Sequence, residues 1–418
     1  MNTSPTAHLS LAAKVGLLFV IFMGPGLGGL VPQAIAIGQP AMAAHIGDAS
    51  NGTFWARLTL ALASLMIIPG APLAGLLSER IGYRKVLLTS IFIYSIAGAV
   101  PLLMPERIAL DNTGDVIALS VMMFSRLVLG LMAGSIMAIY LALAAHYFEG
   151  EARARVLGFA VASSSVIGVS ALWVSGHLVD WQGWRAPFAI YLIGFVVFAV
   201  AWVIIRPEKR DAAVAGPAPT AMSMVHAIVA FWPIYAVLLV MSIGTFVLSE
   251  GGPFLLKANG IATNAEVGSI LAFSYIPAIF TAASYGFVRH YVSDRTVLVA
   301  SGLFMGSGLL AAVPLSDATA LTLAFILFGF GSGMKAPAIS SILLARAPAN
   351  IRAAATGLTF SAIFGGQFLT PLILEALDRA LHIHGAFVVF GGSFLVVAAV
   401  VFLGVLGDKA NVAAARNS

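Results

Sequence analysis

Gly75-Leu-Leu-Ser-Glu-Arg-Ile-Gly-Tyr-Arg-Lys-Val-Leu-Leu88 gathers four charges, Glu79, Arg80, Arg84 and Lys85, between an apolar run that ends near 78 and another that begins near 86. Charge is costly in hydrocarbon, so the burst reads as a short connection at one surface of a bilayer, flanked by two membrane-crossing helices. Gly82 permits the tight turn into the second of them. Gly75 is expected to let the first pack closely against a neighbour. Glu79 is a carboxylate at that surface, where it can meet a helix N-terminus and nearby arginines.

The pattern continues in both directions. A helix needs about 20 apolar residues to cross a bilayer. By that measure the chain holds twelve spans, near 13–38, 55–78, 86–104, 117–145, 155–178, 186–206, 227–253, 265–288, 296–314, 319–345, 354–378 and 383–406. Composition agrees: of 418 residues 60% are hydrophobic and 9% charged, against roughly 25% charged in a soluble domain. An all-α integral membrane protein is expected. With no cysteine, a disulfide framework, a zinc–thiolate site and a catalytic thiol are excluded.

The pI of about 9.6 does not point to nucleic acid, because the cations sit in short connections between apolar runs. Of 22 Lys and Arg, Arg126 and Lys335 fall inside spans, and Arg57, Arg107, Arg185, Lys257 and Arg379 fall on one side. The rest share the other side, which the positive-inside rule makes cytoplasmic, with both termini. Ala41-Met42-Ala43 has the character of a signal-peptide cleavage site. The weakly basic start and the length of the first run favour a retained span. Residues 207–226, Pro-Glu-Lys-Arg-Asp followed by an Ala/Gly/Pro/Ser-rich stretch, read as a cytoplasmic linker between halves at 1–206 and 227–418.

The halves repeat. Gly38-Gln39-Pro40 and Gly47 recur 213 residues on as Gly251-Gly252-Pro253 and Gly260, and Gly75 recurs 211 residues on as Gly286. Gly130, Gly134, Arg153, Gly158 and Phe188 recur 199 residues on as Gly329, Gly333, Arg352, Gly357 and Phe387. Each half therefore reads as six helices in a parallel repeat.

The stretch 75–88 resembles the signature loop of the major facilitator superfamily, G-x-L-a-D-r-x-G-r-k-x-x-l. Gly75, Leu77, Arg80, Gly82, Arg84 and Leu87 fall on their places; Glu79 replaces the usual aspartate and Tyr83 an arginine. The second copy, beginning at Gly286, has decayed, with His290 and Ser293 at the acid and second-glycine places. The resemblance implies two six-helix bundles that carry a small solute by alternating access, with a site lined by the first, fourth, seventh and tenth helices. It further implies that Glu79, with Arg80 and Arg84, forms a conformational latch. Gly176 to Phe188, with Trp181, Trp184 and Arg185, resembles the family's passage from helix five to helix six, and its tryptophans suit the membrane interface.

Six residues are candidates for the substrate and proton cavity. Arg126, in Arg126-Leu-Val-Leu-Gly130, resembles a second family motif, R-x-x-q-G-x-g, which implies proton coupling or anion binding. An arginine at mid-bilayer costs roughly 2.5–3.5 kcal/mol, so it must face protein or water, and pairing with carbonyls at helix ends is the structural alternative. Lys335 lies deep in the tenth span beside Gly331, Gly333 and Pro337, and no family motif asks for a lysine there. It reads as a substrate or counter-ion contact. Glu250, the carboxylate of the seventh span, suits proton coupling; an exposed helix-end acid is the plainer reading. Gln33, Tyr140 and Gln367 can add orienting hydrogen bonds.

These features point to a proton-coupled exporter of the drug-efflux type, monomeric and cofactor-free, in a bacterial inner membrane. The first span carries no Asp or Glu and residues 155–186 no proline, unlike many such pumps. Two cations and one acid suit an organic anion, so symport or exchange of a carboxylate metabolite is the alternative. An enzyme is not expected, since His382 and His384 lack a third ligand and no P-loop is present.

Overall fold

The computed structural model describes residues 10–48, 51–205, 221–348 and 351–416. Of the expected linker, 207–220 lie outside the described residues, while 221–226 open a helix. The described residues form two compact units. The first comprises the described residues within 1–218 together with 263–268, and the second those within 219–262 and 269–418.

The first unit is built from α1 (Leu11–Ala36), a short α2 (Gln39–Ala43), α3 (Gly52–Ile81), α4 (Tyr83–Ala99), α5 (Thr113–Tyr147), α6 (Gly150–Gln182) and α7 (Ile193–Ile204). 3₁₀ turns at Val100–Leu103 and Ala186–Leu192 extend the ends of α4 and the start of α7. The second contains α8 (Ala221–Ala258), most of α9 (Asn264–Val288), α10 (Asp294–Ala312), α11 (Ala318–Arg346) and α12 (Arg352–Arg416). Helix starts follow local chemistry. The side chains of Ser10, Asn112, Ser293 and Asp317 each accept a backbone N–H three residues on, filling donors that a helix leaves open.

Eleven helices among the described residues are long and apolar enough to cross a membrane. The last such stretch, Gly357–Gly404, runs 48 residues, enough for two crossings of about 20 each. Its backbone leaves helical geometry at His382 (φ 59°, ψ 167°), where the sequence separates its eleventh and twelfth spans. Gly82 turns the chain from α3 into α4 with φ +88°, a conformation that favours glycine.

The sequence repeat is a packing repeat. A Cβ at Gly130 or Gly134 of α5 would overlap the carbonyls of Ala63 and Ile67 of α3. In the second unit, Gly329 and Gly333 of α11 stand in the same relation to Ser274 and Ala278 of α9, each 211 residues beyond its counterpart. Phe188 and Phe387 are both fully buried.

Three expectations are corrected. A Cβ at Gly75 meets nothing within 4 Å, so the close approach of α3 to its neighbour belongs to Gly70, Gly130 and Gly134. Trp184 is buried in the protein and not displayed on its surface, its indole donating to the carbonyl of Glu106 at 2.9 Å, whereas Trp181 of the same stretch is exposed. Arg57, counted with the outer cations, is 1% exposed; it lies inside the first unit as α3 descends from Gly52.

Candidate functional site

In the first unit, α1 carries the polar candidate Gln33 on a continuous helix that contains Pro25 and Pro32. Five glycines thin the helix, four of them between Gly24 and Gly29. Gly24 seats the Cβ of Tyr140 and Gly28 the side chain of Met137, both on α5, and Gly26 and Gly29 receive Ile167 and Ser164 of α6. Tyr140 is therefore packed root-first against α1. Gln33 is half-buried with its amide oxygen seated against Gly168 of α6. It lies nine residues beyond Gly24, roughly 13 Å along the helix, so Gln33 and Tyr140 share α1 without meeting.

Arg126 is fully buried in α5. Its Nη2 donates to the carbonyls of Ala97 (2.5 Å) and Gly98 (3.1 Å), and the Oγ of Ser125 accepts from Nε and Nη2 at 3.3 and 3.2 Å. The guanidinium carbon stands 5.1 Å from the ring centre of Phe188 and 5.6 Å from that of Tyr191. Carbonyls collect partial negative charge at a helix C-terminus. Arg126 thus caps α4 at its end, held between aromatic faces that favour a cation. Of the two roles open in the sequence, these hydrogen bonds are those of helix-end pairing.

In the second unit, Glu250 on α8 is fully buried, Gln367 on α12 is 1% exposed and Lys335 on α11 is 9% exposed. Exposure of Glu250 as a plain helix-end acid is therefore ruled out. Helices α8 and α12 run side by side: Gly366 packs on Leu239, Ser242 and Ile243, Thr370 donates to the Ile243 carbonyl at 3.0 Å, and Gly251 meets Leu374. Gly252 meets Leu271 of α9, and Gly333 of α11 meets Ala278 and Thr281 of that same helix. Counting helical rise along these contacts puts Lys335 and Gln367 at similar depth, both roughly 13 Å inward of Glu250. Lys335 forms neither a hydrogen bond nor an ion pair with another described residue, and takes no part in the pairs Arg155–Glu151 and Arg379–Glu375. The Nε2 of Gln367 likewise has no hydrogen-bond partner among the described residues. Glu375, at 8% exposed, is held by Arg379 at 2.8 Å.

The signature loop divides in two. Glu79 and Arg80 are exposed at the end of α3. Arg84 instead reaches α7, donating to the carbonyls of Ile205 and, at 2.9 Å, Trp202, whose ring lies 5.4 Å below its guanidinium. A cation at the last turn of a helix is electrostatically favoured.

Sequence reasoning missed Arg57 and Gln39. Gln39 is fully buried and neither amide atom has a hydrogen-bond partner among the described residues. Its place inside the repeated Gly38-Gln39-Pro40 was the available signal. Among the described residues no cluster of His, Cys, Asp or Glu could hold a metal ion.

The family model of the Major Facilitator Superfamily matches residues 16–262 and 252–417. No curated protein matches the sequence. Among solved structures, a D-xylose–proton symporter superposes with a TM-score of 0.74 at 16% identity, covering 93% of this chain and 97% of the other. The xylose transporter XylE from E. coli, in a partially occluded inward-open conformation, gives 0.72 at 14%, covering 92% and 96%. A bacterial homologue of the human lysosomal transporter Spinster, inward-facing and unoccupied, gives 0.70 at 14%, covering 94% and 96%. At such identities the likeness is one of fold. Together with the family match along nearly the whole sequence, it establishes that this chain is a membrane transporter rather than an enzyme, and that it belongs to the Major Facilitator Superfamily.

Proposed function

We propose that the protein carries a small organic anion across the membrane by proton-coupled alternating access, with Lys335 as the counter-charge to the solute. The observation that supports this reading is a buried lysine in a membrane-spanning helix with no bonded partner among the described residues. A charge held in the membrane costs several kcal/mol, and a transported anion that neutralises it turns that cost into affinity. Gln367, at similar depth with a free amide donor, orients the solute's oxygens. Glu250 is the carboxyl proposed to take up and release the coupled proton. Arg126 has no place in this scheme as a solute contact, because it is fully buried with its Nη2 held by the carbonyls at the end of α4 and its Nε by Ser125.

Export of a drug-like solute is the second reading. It rests on the signature loop at Gly75–Leu88 and on the passage through Trp184 and Arg185, where the chain looks most like the efflux branch. The two readings part in one experiment. Purified protein is reconstituted in liposomes enclosing a pH-sensitive dye, and a proton gradient is imposed. Lactate, succinate, benzoate, tetraphenylphosphonium and ethidium are then added in turn. Proton flux triggered by a carboxylate and lost in Lys335→Ala supports the anion reading. Flux triggered by the lipophilic cations, or carboxylate flux with unchanged affinity in Lys335→Ala, overturns it.

A further inference from the structure

Four backbone carbonyls of α1 accept hydrogen bonds from side chains of other elements. Ser163 donates to Phe22 (2.9 Å), Ser164 to Pro25 (2.9 Å), Tyr94 to Leu27 (2.6 Å) and Tyr191 to Val31 (2.9 Å). They bracket the segment Gly24-Pro25-Gly26-Leu27-Gly28-Gly29-Leu30-Val31-Pro32, in which two prolines withhold N–H donors and four glycines offer little side-chain packing. Such a helix has little intrinsic stiffness, so its line through the bundle is set from outside.

The two tyrosines are the firmer holds. Both are fully buried, and their rings meet edge-to-face at 5.7 Å. Tyr191 also lies against the Arg126 guanidinium at 5.6 Å, and Arg126 is pinned to the end of α4 by two carbonyls. The chain of contact runs from the α4 terminus through Arg126 and the aromatic pair to the α1 backbone. It ends at Val31, two residues before Gln33.

We propose that Tyr94 and Tyr191 are positioning residues for transport, their hydroxyls holding the proline-containing segment of α1 and so fixing where Gln33 presents its amide. Arg126 acts behind them, as the anchor of Tyr191. The inference takes Gln33 as a solute contact but does not depend on the nature of the solute.

The absence of cysteine from the chain supplies the test. Gln33→Cys introduces a single thiol into full-length protein, which is reconstituted in phosphatidylethanolamine–phosphatidylglycerol vesicles. Its rate of modification by N-ethylmaleimide is measured alone and combined with Tyr94→Phe or Tyr191→Phe, which keep the rings and remove only the hydroxyls. Val15→Cys, lower on α1, is the control. The expected result is a rate at position 33 altered roughly threefold or more, the order that one net hydrogen bond carries, with the control unchanged. Unaltered rates at 33 in both phenylalanine variants overturn the proposal, as do equal changes at both positions. If either phenylalanine variant fails to reconstitute, Ser164→Ala, which frees the neighbouring carbonyl of Pro25, is read by the same criterion. No solute enters this measurement, so it stands whether or not Lys335→Ala abolishes anion flux.

Discussion

Replacing Gly130 by alanine is expected to damage the fold, and replacing Gly75 is not, although both glycines belong to family-like motifs. At Gly130 the new Cβ would lie closer than 3.0 Å to the Cα, C and O of Ala63. Backbone atoms cannot swing aside, so α5 and α3 must part by about 1 Å, and overpacking of that kind costs about 1–3 kcal/mol. Gly329→Ala meets the Ser274 carbonyl in the second unit and carries a similar penalty. At Gly75 the same atom meets nothing within 4 Å, and alanine is the better helix former by about 1 kcal/mol. For a unit of this size a kcal/mol moves the unfolding midpoint by about 2–4 °C. Gly130→Ala should therefore lose roughly 3–10 °C, and Gly75→Ala should stay level or gain slightly. The assay is tryptophan fluorescence of detergent-solubilised protein heated at one fixed scan rate, because the scan reports kinetic stability. A loss in Gly75→Ala equal to that in Gly130→Ala would refute the packing described. If Gly75→Ala keeps its midpoint yet abolishes flux, Gly75 serves the transport cycle and not the fold.

Arg126→Leu leaves the carbonyls of Ala97 and Gly98 without their donors and should cost about 2–4 kcal/mol of stability. Arg126→Lys should recover only part, since an ammonium lacks the planar fork; full recovery would show that charge alone matters. Arg84→Gln should fray the end of α7 by about 1 kcal/mol, seen as faster hydrogen exchange of the amides at 202–205, with unchanged exchange counting against the cap. Asp180, in the first unit, accepts from the backbone N–H groups of Asn264 (3.0 Å) and Ala265 (2.7 Å) and from the Asn264 side chain (2.7 Å). Asp180→Ala should loosen the first turn of α9 by about 1 kcal/mol, read as faster exchange at 264 and 265, and Asp180→Asn should loosen it less.

The fold was largely legible because the bilayer imposes a simple rule. Spans must be apolar and about 20 residues long, and the twelve apolar runs obey it, down to the break at His382 between the last two. The 199- and 211-residue spacings were legible for a related reason. Glycines that let two backbones touch leave no other solution, and Gly130 on Ala63 and Gly329 on Ser274 are that solution twice. Gly75 misled because motif membership carries no information about what stands opposite a residue. Arg57 misled because a charge near a span end looks the same in sequence whether it faces water or protein.

From the sequence alone follow the membrane, the number of crossings, the duplication and the turn at Gly82, since each depends on local composition or on glycine's own conformational freedom. Only the tertiary structure decided what the buried polar groups do. Arg126 and Lys335 are both lone cations in apolar helices, and nothing within a few residues tells them apart. Arg126 meets the carbonyl end of α4 and two aromatic rings, 28 to 65 residues away along the chain. Lys335 meets no such partner. A charge in a low-dielectric interior is defined by what neutralises it, and that neighbour is chosen by packing between distant helices.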